Sequence, residues 1–355
     1  MMYGNRLKEK ISSFYKGRKV FVTGHNGFKG SWMCKVLAEM GADVCGFSLP
    51  CTDHSPFKPM NLGTVRSIEG DVGDTEGTAG ALLSFGPEVV IHMAAQPLVL
   101  ESYKDPVGTY RTNVMGTVNI LDAIRKCPTV RSVVNVTTDK VYRNLERSEG
   151  YREDEVLDGH DPYSNSKSCS ELVTASYKRS FFENVPVSTC RAGNVIGGGD
   201  MSKDRMISDC VRAAERNERI ILRNPGSVRP YQHVLEPVCA YLLLAAEQSA
   251  DPKLAGSYNI GPDDESAITT QRLAQLFCDN WKGAEWVTLG KNEGPHEAGI
   301  LRLNCDKFKR TFDWRPRWKI EEAVRRTADW YLAERDGKDM SAFTAKQINE
   351  YLEQE

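Results

Sequence analysis

Two short stretches carry side chains whose types and spacing could move protons. Tyr163 and Lys167 are four residues apart after Asp161 and Pro162. If that stretch opens a helix, the phenol and the amine share one face. A lysine cation beside a tyrosine would lower the phenol's pKa from about 10 and make it a usable base near neutrality. The second stretch is Thr137, Thr138, Asp139 and Lys140, where hydroxyls, a carboxyl and an amine stand at the end of a fifth strand predicted over 130–137. A Y-x-x-x-K spacing alone arises often by chance. It gains meaning only if the rest of the chain builds a site around it.

The positioning elements begin at residues 19–41. Val20, Phe21 and Val22 form an apolar run suited to a strand buried on both faces, and Trp32, Met33, Val36, Leu37 and Met40 recur with helical spacing. Between them lie Gly24, Gly27 and Gly30, interleaved with Asn26, Phe28 and Lys29. A strand, a glycine turn and a helix N-terminus make an anion cradle: glycines let a pyrophosphate approach the backbone, and unpaired N–H groups face it. This predicts a dinucleotide site. No acid or base ends the second strand (43–48), where Phe47, Ser48 and Leu49 stand and the nearest acid is Asp53, so NAD is favoured over NADP. Asp71, beside Val72, is placed to accept from the adenine amino group or to cap a helix. Ala94 and Ala95 allow close packing of a flat cofactor at the end of a fourth strand, with Gln96 next. A helix is predicted over 106–125, with Asn113 either bracing a strand or facing solvent. Strands and helices alternating at this rhythm predict an α/β doubly wound parallel Rossmann sheet, with ligands outside the strands' carboxyl ends.

After residue 191 the alternation breaks down. Helices are predicted over 207–218, 235–248, 269–281 and 320–335, and strands over 220–222 and 257–261. The expected division is 17–193 plus about 233–262 for the dinucleotide, about 194–232 plus 263–335 for a smaller discontinuous lobe, and 336–355 as a polar tail with one short helical stretch. Arg205, Arg229 and Arg302 are candidate phosphate partners in that lobe, or surface ion-pairing groups.

Composition narrows the classes. A net charge of -2 over 355 residues favours neither nucleic acid nor an anionic membrane. The apolar run at 238–246 is too short to span a bilayer, and the N-terminus does not read as a signal peptide. Ten cysteines without a C-x-x-C pair suggest neither zinc nor disulfides, and six histidines show no metal-ligand spacing. A cytoplasmic protein without a metal is expected.

Several stretches together resemble the CDP-glucose 4,6-dehydratases, extended short-chain dehydrogenase/reductase enzymes. They are TGHNGFKGSW at 23–32, AAQPLV at 94–99, TNVMGT at 112–117, DPYSNSK at 161–167, AGNVIGGGD at 192–200 and QHVLEP at 232–237. Leu100, Met201 and Tyr231 depart from the family pattern of Arg, Trp and Trp. Thr138 replaces a serine and keeps the hydroxyl. The resemblance implies tightly held NAD, a homodimer or homotetramer, lipopolysaccharide dideoxysugar synthesis and a CDP-hexose substrate. It implies cofactor contacts at Gly24, Asn26, Gly27, Phe28, Lys29, Gly30, Asp71, Val72, Ala94, Ala95, Gln96, Asn113, Thr137, Tyr163 and Lys167. Substrate contacts are expected at Gln96, Asn194, Arg205, Arg229 and Arg302. The implied reaction is a redox-neutral dehydration: Tyr163 and Thr138 act at the sugar's 4-hydroxyl, Asp139 is the acid and Lys140 the base, or a cation steadying the enolate. A nucleotide-sugar 4-epimerase would need the same tyrosine, lysine and threonine but no pair at 139 and 140. A silent NAD-binding scaffold or redox sensor would need none of them.

Overall fold

The protein is described from a computed structural model covering residues 4–288 and 301–354, so 289–300 of the second lobe lie outside the described residues. The chain runs α1 (Gly4–Tyr15), β1 (Lys19–Thr23), α2 (Phe28–Glu39), β2 (Asp43–Ser48), β3 (Arg66–Glu69), α3 (Thr75–Phe85) and β4 (Val89–His92). Then come α4 (Val99–Lys104), α5 (Pro106–Tyr110), α6 (Gly116–Arg125), β5 (Ser132–Thr138), α7 (Pro162–Phe181), β6 (Val187–Ala192), β7 (Val195–Ile196) and α8 (Met206–Glu215). β8 (Ile220–Leu222), β9 (Val228–Pro230), β10 (Gln232–His233), α9 (Leu235–Ala250), β11 (Ser257–Ile260) and β12 (Ala267–Thr269) follow. The last elements are α10 (Thr270–Asn280), β13 (Trp286–Thr288), α11 (Asp306–Phe312), α12 (Ile320–Arg335) and α13 (Met340–Glu353).

Seven strands form one sheet in the order β11-β6-β5-β4-β1-β2-β3, every pair parallel. Helices cover both faces, which is why the central strands β4 and β5 are buried along their whole length. The two-residue side-chain period sends Val20 and Val22 of β1 into one core and Phe21 into the other. β11 joins the sheet beside β6 although about 60 residues separate them in the chain. Three two-stranded sheets, β7 with β10, β9 with β12 and β8 with β13, lie outside it.

Two sequence expectations change. The helix over 106–125 is interrupted: residues Arg111–Met115 form a π turn between α5 and α6. The wider turn leaves Asn113 buried, where its side chain accepts from Gln96 N and donates to Gln96 O and Ser166 Oγ. The tail is not a short stretch but the helix α13, which buries Met340, Ile348, Tyr351 and Leu352. Those residues recur at helical spacing among polar ones, so composition hid the stripe. The N-terminal α1 adds a further element; it buries Leu7, Ile11 and Tyr15, whose hydroxyl donates to Leu242 O at 2.9 Å.

Candidate active site

Above the carboxyl ends of the strands lies one open cleft of about 1400 Å3. One end is the turn from β1 to α2. Gly24 has φ +70°, and a Cβ there would stand 2.9 Å from the Ala94 backbone. A Cβ at Gly30 would stand 2.0 Å from Gly24 O. Gly27 is the N-cap of α2 and no side chain satisfies that helix end. The backbone donors of the first turn are therefore open to an anion in the cleft, and the residues fit a dinucleotide's pyrophosphate. Asn26, Phe28, Lys29, Asp71, Val72, Ala94 and Ala95 line the same cleft. Asp71 does not cap α3; Asp74 does, while Asp71 accepts from Gly73 N at 2.8 Å.

The other end is where β5 stops. α7 starts beside it because Asp161 accepts from Ser164 N at 3.0 Å and Pro162 takes the first turn. Thr137, Thr138, Asp139, Lys140, Tyr163 and Lys167 all border the cleft here. Asp139 Oδ1 accepts from Thr138 Oγ1 at 2.9 Å and from Lys140 Nζ at 3.3 Å. Its Oδ2 is buried without a hydrogen-bond partner, and a Cβ at Gly193 would stand 2.1 Å from it. Lys140 keeps about a third of its side chain exposed, with a relative accessibility of 32% against 1% for Asp139.

The electrostatics differ from the sequence expectation. Burial raises the Tyr163 phenol above its ordinary value; the Lys140 cation, hydrogen bonding to Thr138 and the Arg205 cation pull it back down. Lys167 is not among the leading groups acting on it. Its Nζ instead donates to Val136 O at 3.2 Å, and burial lowers it to about 8 against the raising effect of Glu171. Burial, then Arg205 and Lys167, also lower Lys29 to about 8. Sharing a helix face puts Tyr163 and Lys167 on one side of α7, but the amine finds a strand carbonyl there.

Among the second-lobe residues, Asn194, Arg205 and Arg229 border the cleft. Asn194 has φ +30° and a buried Nδ2 without a hydrogen-bond partner. Arg205 pairs with Asp200 at 3.1 Å, and Arg229 donates to Val228 O. Three expected contacts do not border the cleft. Gln96 turns back to Thr109 and to both the N–H and the carbonyl of Leu98, and Asn113 braces Gln96 and Ser166. Arg302 borders a separate small cavity with Gln232 and Asp263, and its Nε is buried without a partner. Polar residues in buried loops satisfy nearby backbone first, which spacing does not reveal. Leu100 and Tyr231 border the cleft, whereas Met201 does not and packs on the core. Glu171, an acid four residues after Lys167, forms a buried ion pair with Arg191 at 2.9 Å that residue spacing on α7 alone does not reveal.

A model of the NAD dependent epimerase/dehydratase family matches residues 20–261. The chain is 44% identical over 351 residues to a CDP-glucose 4,6-dehydratase of Salmonella typhimurium, covering 96% of this chain and 98% of that one. It is 24% identical to a probable dTDP-glucose 4,6-dehydratase of Sinorhizobium fredii, covering 88% and 93%. Among solved structures, a dTDP-glucose 4,6-dehydratase of Bacillus anthracis in complex with NAD superposes with a TM-score of 0.75 at 22% identity, covering 91% and 99%. The Thermus thermophilus UDP-glucose 4-epimerase complex with NAD gives 0.76 at 26% identity, covering 88% and 98%. Strand order, cradle and match agree, and the chain belongs to the NAD dependent epimerase/dehydratase family.

Proposed function

We propose that this chain is a hydro-lyase that converts CDP-glucose to its 4-keto-6-deoxy derivative. The observation that carries the reading is the Asp139–Lys140 contact of 3.3 Å at the strand end that also holds Thr138, beside Tyr163. A plain dehydrogenase or epimerase has no use for that pair. NAD+, held by the glycine turn and the N-terminus of α2, would supply a hydride acceptor for C4 and a hydride donor for C6.

Tyr163 takes the proton of the sugar's 4-hydroxyl, and Thr138 hydrogen-bonds the same oxygen. The Lys140 and Arg205 cations favour the phenolate against burial. The resulting C4 ketone acidifies C5–H, which Lys140 removes or whose enolate it steadies. Asp139 gives a proton to the departing C6 hydroxyl; its Oδ2 has no hydrogen-bond partner among the described residues. Water leaves; of the two protons taken from the 4-hydroxyl and from C5, one returns to C5 and the other restores Asp139, so no net oxidation occurs. Lys29, on the first turn of α2, borders the same cleft, its Nζ turned to the Tyr241 hydroxyl at 3.5 Å. Asn194, Arg205 and Arg229 are the substrate-side contacts in this reading, and residues 17–193 with about 233–262 hold the dinucleotide.

Finer readings rest on the family resemblance: a cytoplasmic place, a role in dideoxysugar synthesis for lipopolysaccharide, and a homodimer or homotetramer. No helix among the described residues is long and apolar enough to cross a membrane. Val107, Met115 and Leu172, exposed along α5 to α7, supply apolar surface for an assembly. The deciding experiment is mass spectrometry of the protein with NAD and CDP-, UDP- or dTDP-glucose. Loss of one water from CDP-glucose is expected. Preference for either other nucleotide overturns the substrate, and no loss from any of them overturns the reaction.

A further inference from the structure

The loop between β7 and α8 is gripped by α2 and α12, and it carries a buried carboxylate that the dehydration does not use. A Cβ at Gly197 would stand 3.1 Å from the Phe28 ring at the cradle, and Trp32 Nε1 of α2 donates to Gly198 O at 2.9 Å. Gly198 packs on Trp330 of α12, where a Cβ would stand 2.1 Å from the indole, and Gly199, at φ +82°, packs on Pro56. The next residue of α12, Tyr331, donates its hydroxyl to Asp200 O at 2.9 Å. Asp200 is 4% exposed, and both carboxylate oxygens are used within the loop. Oδ1 accepts from Ser202 N at 3.1 Å and Oδ2 accepts from Arg205 Nη1 at 3.1 Å. Arg205 is different. About a third of its side chain is exposed, it borders the cleft, and among the described residues Asp200 is its one side-chain partner.

We propose that Asp200 is a positioning residue for substrate binding: seated by Tyr331 and the glycine loop, its carboxylate holds the Arg205 guanidinium at the cleft to meet the diphosphate of a nucleotide sugar. The inference rests on the reading of Arg205 as a substrate-side contact given above. A guanidinium suits that task, because its planar fork makes charge-assisted hydrogen bonds to phosphate oxygens. A long side chain loses rotamer freedom when it binds, and a partner that orders it beforehand removes that cost from the binding step. Stability does not call for the pair. An exposed ion pair contributes little, and burying a carboxylate costs desolvation. The loop is held on α2 and α12 by glycine contacts, an indole N–H and a phenol, none of which needs the Asp200 charge. What the carboxylate adds is the placement of one guanidinium. Phe28 and Trp32 belong to the helix that begins at the cradle, so the same loop ties the place of Arg205 to that of the dinucleotide.

The test is a direct titration of the NAD-saturated protein with CDP, and with UDP and dTDP alongside, for the parent and its variants. The diphosphate is common to all three, so the inference is judged on whichever binds most tightly, and base preference bears on the substrate reading alone. Arg205→Leu is expected to weaken binding about ten- to a hundredfold, the worth of a charge-assisted hydrogen bond. Asp200→Asn is expected to weaken it about two- to tenfold, the worth of one pre-ordered side chain, and to add nothing in the Arg205→Leu background. A carboxylate near an anion repels it, so a residue that merely set the local charge would bind the diphosphate more tightly once neutralised. Because Asp200 is buried and Asp200→Asn can fail to fold, Tyr331→Phe repeats the cycle without a change of charge. It removes the bond to Asp200 O and is expected to weaken binding by less, again only while Arg205 is present. NAD affinity, titrated separately, is expected to hold throughout. Unchanged or tighter binding in Asp200→Asn, or in Tyr331→Phe where it stands in for that variant, overturns the inference. So do losses that add to that of Arg205→Leu or fall equally on NAD, and so does an Arg205→Leu protein that binds as the parent does. A parent that binds none of the three diphosphates overturns it too. A parent that binds them but releases no water from any nucleotide hexose overturns the dehydratase reading instead.

Discussion

The two ends of the cleft are built from different materials. At the cradle end, recognition falls to backbone: a glycine turn, an uncapped helix N-terminus and alanines small enough to let a flat ring approach. At the reacting end it falls to side chains, with Tyr163, Asp139 and Lys167 all at least nine-tenths buried and Lys140 partly open. Backbone donors carry no proton that titrates near neutrality, so the cradle can hold an anion at any working pH. The side-chain end works only while each group keeps the right protonation state in a place that resists charge. Binding and chemistry are therefore expected to separate under mutation.

The largest separation is expected at Tyr163. Tyr163→Phe should cut C4 oxidation by about 10²–10⁴-fold, the usual worth of a general base, while NAD affinity holds. NADH absorbance after adding substrate and a direct NAD titration measure the two; near-normal turnover would remove Tyr163 from the mechanism. Next come Asp139→Asn and Lys140→Met, each expected to slow dehydration about 10²-fold or more. Asp139→Asn should still oxidise C4, so NADH absorbance appears without water loss. Lys140→Met should also suppress exchange of the C5 proton with deuterated solvent. It should move the rising limb of C4 oxidation to higher pH, because a cation that lowers the phenol is gone. Full dehydration by both variants would place acid and base elsewhere.

A smaller effect with the opposite pattern is expected at the cradle. Gly30→Ala forces a Cβ against Gly24 O, an overpacking worth about 1–3 kcal/mol. NAD affinity should fall while the rate at saturating NAD changes little; a reduced saturated rate with intact affinity would blur the two ends. The smallest is Asp161→Ala, which removes the N-cap that starts α7 beside β5 and should cost about 1 kcal/mol in a denaturant titration.

What the sequence by itself determined is whatever depends on local geometry. Period-two and helical spacing, with glycines at 24, 27 and 30, specify a strand, a turn and a helix N-terminus whatever the rest of the chain does, and the parallel order follows from repeating that unit. Asp161 and Pro162 likewise mark the start of α7 before any packing is known. Tertiary structure alone decided everything that depends on which atoms meet across the sheet. It turned Gln96 and Asn113 into braces, sent Arg302 to a separate cavity and made the tail a packed helix. It also assigned the tuning of Tyr163 to Lys140 and Arg205 instead of Lys167, and set Glu171 beneath Lys167 in an ion pair with Arg191. The physical reason is range. Backbone conformation is settled within a few residues, whereas desolvation and charge–charge coupling are set by neighbours that the chain brings in from β4, β5, β6 and the second lobe.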